Sequence, residues 1–281
     1  MSDPISGVAI GALAKAADST SAEAAKTAGG LLTRLLGPSA DVIGNGWADS
    51  IRRRNTARVL EKAVKKVEAH GHHDNASLRL VASTLAASEF ADNEIVAEYL
   101  SGVLASGAAE GGADDSGLQW TAMISRLSSL QLRAHFAIYV AALGAARADD
   151  QIGDPYPLWG GIGPHKGRGF TVKLDAHSFV TDSEHKRPGF EDMLAESLDG
   201  LTREQLIGDF VGLDSMFVEL TFDGVALFLR AIGTGLRPSR FLEIDPTAAL
   251  EQVGMALPHA AILPEPVETI FAPKAAESST S

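Results

Sequence analysis

Apolar residues in the middle of the chain recur with helical spacing. Leu60, Ala63, Val64 and Val67 fall at i, i+3, i+4 and i+7, while Arg54, Arg58, Lys62, Lys65 and Lys66 occupy the other side of the helical wheel. The spacing predicts a long amphipathic helix that stops at Gly71, with His70 as last-turn cation and Gly71 as the residue that leaves the helix. Leu78, Val81 and Leu85 predict a second helix, and Asp92 caps a third that carries Ile95, Tyr99 and Val103 inward. The stretch from Gly107 to Gly117 reads as an acidic, glycine-rich loop. Trp120, Met123, Ile124 and Leu127 repeat the helical template. Ser128-Ser-Leu-Gln131 has the form of a capping box, whose hydroxyl and amide satisfy two orphan backbone donors. The helix it opens would bury Leu132, Phe136, Tyr139, Val140 and Leu143 and end near Ala148.

From Gly153 to Pro188 the helical period disappears, Gly and Pro dominate, and Phe170-Thr-Val-Lys-Leu174 alternates like a short strand. Thr202-Arg-Glu-Gln205 has the form of a second capping box, opening a helix with Leu206, Ile207, Phe210 and Leu213. Met216 to Leu220 is strand-like, and Thr221 caps a last helix with Phe222, Val225, Ala226 and Leu229 on one face. No repeat of fixed period is present. The expected organisation is a flexible N-terminal arm over 1–30 and a helical domain with the basic amphipathic helix over 31–150. A Gly/Pro-rich connecting segment follows over 151–190, then a C-terminal part over 191–240, then a mostly irregular tail over 241–281. Leu127-Ser-Ser-Leu-Gln, Leu201-Thr-Arg-Glu-Gln-Leu and Val218-Glu-Leu-Thr-Phe-Asp-Gly224 resemble the helix starts and the Leu-Thr-x-x-Gly turn of winged-helix domains. The expected fold is therefore mainly α, a helical domain with a small α+β, winged-helix-like C-terminal part. Its expected recognition helix, Glu204 to Gly212, holds no Lys or Arg and lacks the groups that contact phosphates.

Charge sharpens the picture. The 281 residues carry 24 Lys and Arg against 36 Asp and Glu, a net charge of −12, yet the signs are segregated. Residues 51–66 hold seven basic side chains and one acidic, whereas 85–120 hold seven acidic and none basic. Two readings follow. The basic face is screened by the acidic segment, or Arg52, Arg53, Arg54, Arg58, Lys62, Lys65 and Lys66 meet an anionic surface such as inner-leaflet lipid, a protein partner or nucleic acid. The overall acidity disfavours nucleic acid, because the net field repels phosphates at range. Upstream, Leu31, Leu32, Leu35 and Leu36 form an apolar stripe that continues to Trp47; Leu32, Leu35, Leu36 and Trp47 would suit a membrane interface, and the same leucines would equally suit a core. No apolar run reaches the roughly 18 to 20 residues a spanning helix needs. The first residues show no secretory pattern, so the expected location is cytoplasmic, with peripheral attachment at the inner membrane if the lipid reading holds.

Candidate chemistry is sparse. The absence of cysteine removes disulfides, thiolate metal sites and a cysteine nucleophile. His70-Gly-His72-His73-Asp74 gathers potential metal ligands, but adjacent imidazoles diverge and no distant ligand set has matching spacing, so a helix-connecting loop explains them and no metal site is assigned. Gly160-Gly-Ile-Gly-Pro-His-Lys-Gly-Arg-Gly169 is basic and glycine-rich, yet matches neither phosphate-binding glycine pattern. His165, His177 and His185 share an irregular region with Asp175, Asp182 and Glu184, with nothing in the spacing to fix an acid–base geometry. No cofactor and no catalytic residue are assigned.

Four stretches in succession resemble the abortive-infection alpha (Abi-alpha) proteins of bacteria. They are Arg52-Arg-Arg-Asn-Thr-Ala-Arg-Val-Leu-Glu-Lys62, Leu80 to Ser106 with the acidic turn Ser88-Glu-Phe-Ala-Asp-Asn-Glu94, Leu127-Ser-Ser-Leu, and Leu220-Thr-Phe-Asp-Gly-Val-Ala-Leu-Phe228. Leu100 departs from the pattern, standing where a Trp is expected before Val103-Leu-Ala105. The resemblance implies phage defence in which an infected cell stops growing before virions mature; it carries over no active-site motif. The leading expectation is a non-enzymatic defence protein acting through its basic helix at a membrane or partner surface. The alternative is a nucleic-acid-binding regulator built on the C-terminal part, and a homo-oligomer is compatible with a winged-helix scaffold reused for dimerisation.

Overall fold

The computed structural model describes residues 50–72, 74–109, 115–148, 171–175, 180, 182–253, 258 and 260–263. Among these the chain is mainly helical, with a small antiparallel sheet in the C-terminal part. It divides into two compact units: residues 1–132 with 227–237, and residues 133–226 with 238–281. These boundaries differ from those expected, because a piece of the last long helix returns to the first unit.

In the first unit, α1 spans Ser50–His70, a run without Gly or Pro. It stops as expected: Gly71 takes φ +65, and the amides of Gly71 and His72 bond back to the carbonyls of Glu68 and Val67. Helix α2, Leu78–Ser88, is capped by Ser77, whose hydroxyl accepts from the Leu80 amide at 3.2 Å. Its buried face is Leu80, Val81, Thr84, Leu85 and Ser88. Leu78 lies about 200° round the wheel from Leu80 and is exposed, which corrects its expected place in the stripe. Helix α3, Glu94–Ala109, is capped by Asn93, whose Oδ1 accepts from the Ile95 amide, and not by Asp92. It is buried on nearly every side, and its small residues allow that. A Cβ on Gly102 would overlap the carbonyl oxygen of Ala231. Helix α4, Gly117–Ile124, buries Trp120, Thr121 and Ile124.

Helix α5, Ser129–Ala148, opens on the expected capping box: the Ser128 amide donates to Gln131 Oε1 at 2.7 Å and the Gln131 amide to Ser128 Oγ at 3.2 Å. From Arg133 onward α5 belongs to the second unit, where it is followed by β1 (Thr171–Asp175), α6 (Asp182–His185), α7 (Phe190–Arg203), β2 (Phe210–Val211) and β3 (Ser215–Glu219). Helix α8 spans Phe222–Ala231, with Thr221 Oγ1 accepting from the Gly224 amide at 3.1 Å. A 3-10 turn (Pro238–Glu243), α9 (Pro246–Val253) and β4 (Ala260–Leu263) complete the unit, so the segment expected to be mostly irregular carries two elements. The sheet order is β2-β3-β1-β4, all antiparallel. The strand expected at 170–174 is therefore central, with Val172 and Leu174 facing the core beside Met216 and Val218. What reads as a joining segment supplies the middle of the sheet.

One expected element is absent. Thr202 to Gln205 does not open a helix but closes α7: the Glu204 amide bonds to the Gly200 carbonyl, Gln205 takes φ 60, and Thr202 Oγ1 donates to the Gly208 carbonyl at 3.2 Å. The chain then turns into β2, so the recognition helix expected at Glu204–Gly212 does not form. The order helix, strand, helix pair, hairpin, with β3 returning beside β1, is nevertheless winged-helix-like. The pair α6 and α7 is joined by the short turn Lys186–Gly189, where Gly189 takes φ +75, as in a helix-turn-helix.

Substituting Gly102→Ala should destabilise the protein by about 1–3 kcal/mol in urea unfolding, because the overlap with the Ala231 carbonyl outweighs the helix-propensity gain of roughly 1 kcal/mol.

Candidate functional site

The seven cations expected to face outward do not share one environment. Arg52 and Arg53 lie on the first turn of α1, and their side chains are outside the described set; Arg54 and Lys65 are exposed, with Lys65 Nζ 2.8 Å from Glu61 Oε1 one turn earlier. The other three turn onto α3 and the turn before it. Arg58 donates to the Ala91 carbonyl and lies 3.6 Å from Glu94. Lys62 Nζ bridges Glu94 Oε1 at 2.6 Å and Glu98 Oε2 at 2.8 Å. Lys66, 5% exposed, meets Glu98 Oε1 at 2.5 Å, an ion contact with a carboxylate that is itself 1% exposed. Lys66 Nζ also donates to the carbonyls of Glu98, at 3.2 Å, and Ala231. The outward projection expected of Arg58, Lys62 and Lys66 is therefore corrected: the protein's own carboxylates neutralise them.

The spacing explains the match. Lys62 and Lys66 stand one turn apart on α1, and Glu94 and Glu98 stand one turn apart on α3, so packed helices bring the pairs together. Burial pushes the Lys66 pKa down, against the pull of Glu98. Burial also works against the charge on Lys62, but its hydrogen bonds to Glu94 and Glu98 outweigh that and hold its pKa up. Glu94 and Glu98 were the residues missed, and their i, i+4 spacing opposite the lysine pair was the available signal.

The histidine cluster resolves as capping. His70 Nε2 lies 3.1 Å from the Ile232 carbonyl and His72 Nε2 2.9 Å from that of Gly233. Asp74 is exposed, His73 is outside the described residues, and no group of three metal-ligating side chains occurs among the described ones. Leu32, Leu35, Leu36 and Trp47, residues 160–169, His165 and His177 all lie outside the described residues. The ring of His185 packs against Phe190 at 5.5 Å, while Glu184 takes a two-point ion pair from Arg133, at 2.8 and 3.1 Å; the side chain of Asp182 lies outside the described residues.

In the second unit a buried His–Tyr pair anchors α5. His135 Nε2 lies 3.1 Å from the Gly224 carbonyl and its ring packs on Tyr139, tilted by 39° with centroids 4.7 Å apart. Tyr139 donates to the Leu206 carbonyl at 2.7 Å and accepts from the Thr221 amide at 3.0 Å. Full burial pushes the His135 pKa down to about 3 and that of Tyr139 up.

Among the described residues of this unit, α7 presents a strongly charged exposed face. Phe190, Leu194, Ser197, Leu198 and Leu201 point inward, leaving Glu191, Asp192, Met193, Glu196, Asp199 and Arg203 exposed. Lys186 and Arg187 lie in the turn before it; Asp209 and Asp214 are exposed on the stretch that follows.

No described helix is long and apolar enough to cross a membrane. Comparison with protein-family models, curated proteins and solved structures finds no match to this chain. The likeness to the Abi-alpha family thus stands on the succession of motifs alone.

Two outcomes follow from this geometry. Glu98→Gln should cost about 3–5 kcal/mol in chemical denaturation, since it leaves Lys66 charged and unmatched; Lys66→Met added to it should recover part of the loss. His135 stays neutral in the folded state while the unfolded chain protonates below about 6.5, so stability is full above that pH and falls as pH drops from 6.5 toward 3. At about 1.4 kcal/mol per pH unit, the protein should be about 2 kcal/mol less stable at pH 5 than at pH 7, and a His135→Gln variant should lack that share of the loss.

Proposed function

We propose that this chain is a non-enzymatic bacterial defence protein of the abortive-infection type, acting by docking a protein partner through the winged-helix-like part. The motif succession from Arg52 to Phe228 supports the defence role. The observation that carries the mode of action is the exposed face of α7. A helix-turn-helix presents the N-terminal end of its second helix to the ligand. Here that end offers Glu191 and Asp192, followed by Glu196 and Asp199, with Lys186 and Arg187 in the turn before it and Arg203 at the far end, so the helix face itself is net acidic. Such a face repels phosphates and suits a partner rich in Lys and Arg, and exposed Met193 adds an apolar contact at its edge. The internal neutralisation of Arg58, Lys62 and Lys66 weakens the membrane reading of α1 and leaves Arg54 and Lys65 as the cations described as exposed there.

Phage challenge of cells with and without the gene tests the role: fewer plaques with collapse of the infected culture are expected, and equal plaque counts would end the defence reading. Replacing Asp199 and Glu196, beyond the first turn of α7, by Lys should abolish protection while leaving the fold intact in thermal unfolding. Duplex DNA titrated at two salt concentrations should show no binding at roughly micromolar levels; an affinity that falls steeply with salt would instead establish the nucleic-acid regulator.

A further inference from the structure

We propose that the outward face of α2 docks a second copy of this chain, with the two α2 helices antiparallel across a two-fold axis. The inward face of α2 is taken up by Leu80, Val81, Thr84, Leu85 and Ser88. Away from it, Leu78, Ala82 and Ala86 follow one another at four-residue steps, and Phe90 continues the step in the turn that closes the helix. Leu78 is 42% exposed and Phe90 70% exposed; Ala86 is exposed and Ala82 half-buried between them. Apolar residues scattered singly over a surface need no explanation, but four in one row form a ridge of the kind that packs against another helix. Its middle is small and its two ends are large.

That arrangement fits its own copy. Leu78 and Phe90 stand six residues to either side of Thr84, and Ala82 and Ala86 stand two to either side. An antiparallel pair centred there sets Ala82 against Ala86 of the second copy, where methyl side chains let the two backbones approach, and Leu78 against Phe90 at both ends. Charge gives a separate argument. At a two-fold axis a surface meets itself, so like charges at mirrored positions would repel. The row itself is uncharged, and the charged side chains beside it, five residues to either side of Thr84, are Arg79 and Glu89. Each therefore comes opposite the other sign, while Arg79 keeps its own Asp115 at 2.6 Å. The acidic face of α7, by contrast, would repel itself, so this site is independent of the docking assigned there. Two effects keep the dimer weak. The net charge of −12 on each chain opposes approach at range. One three-turn helix also offers much less than the roughly 1,600 Å² of a standard interface, which suits a Kd on the order of 100 μM.

Sedimentation equilibrium of the full chain from about 10 to about 500 μM spans that range and should show monomer and dimer in exchange. Ala86→Glu keeps a good helix former at an exposed position but puts a carboxylate into the crossing, so it should weaken the dimer by about tenfold or more while thermal unfolding stays as in the wild type. Leu78→Gln, at the end of the row, should weaken it by about threefold or more through lost apolar contact. Because the chain has no cysteine, Ala82→Cys and Ala86→Cys chains report the register. Mixed under mild oxidation, they should cross-link to each other faster than either does to itself. A monomer at every concentration would overturn the proposal and leave the face to residues 1–49 of the same chain or to a different protein. A dimer as strong in both the Ala86→Glu and Leu78→Gln variants as in the wild type would also overturn it, as would mixed cysteine chains that cross-link no faster than either alone.

Discussion

The first unit is organised around one buried carboxylate. Glu98 lies in the middle of α3, among Ala, Gly and Ser, where an unpaired charge would be prohibitive, and two lysines of α1 converge on it. This pairing fixes how α1 sits on α3, because sliding either helix by one residue would separate the matched i, i+4 pairs. It also brings Lys66 to the Ala231 carbonyl, beside Gly102, which has no side chain to block the approach. Such a pair adds less to net stability than to register, since desolvation offsets most of the attraction. The same pairing decides what α1 can do outside the fold, because charge committed inward is unavailable to lipid or phosphate.

The second unit uses neutral polar groups for the same purpose. His135 and Tyr139, one turn apart on α5, reach the Gly224 and Leu206 carbonyls and the Thr221 amide. These bonds hold the turn after α7 and the start of α8 in place. Both side chains are fully buried and remain uncharged at neutral pH, so they specify position without a counter-ion. The sheet and the helix-turn-helix-like pair are thereby set on a rigid support, and α7 is left with one apolar flank inward and one acidic flank toward solvent. The scaffold resembles a nucleic-acid reader in its order of elements and differs from one in the sign of its exposed charge.

Much of this was legible beforehand where the signal is local. The end of α1 at Gly71, the box at Ser128 and Gln131, the cap at Thr221 and the alternating strand expected at 170–174 and observed at 171–175 each depend on a few neighbouring residues, and each formed. Thr202-Arg-Glu-Gln205 shows the limit of such signals. The motif has the letters of a helix start, but Leu194, Leu198 and Leu201 already continue a helical stripe through it, and a hydroxyl near a helix end can serve carbonyls as readily as amides. Asp92 and Asn93 are chemically equivalent caps on paper, and one residue of offset decided between them.

The sequence alone determined where the helices of the first unit and the strands β1 and β3 run, the segregation of basic from acidic residues, and most of the apolar side of those helices, because those properties follow from periodicity and neighbouring side chains; it did not place α7, β2, α9 or β4. It did not determine the width of a buried face. On α1 the contact with α3 is wider than the apolar stripe, and the long methylene stems of Lys62 and Lys66 let charged ends reach inside. Whether a cation meets solvent or a carboxylate more than thirty positions away along the chain depends on which helices touch, and only the tertiary structure sets that.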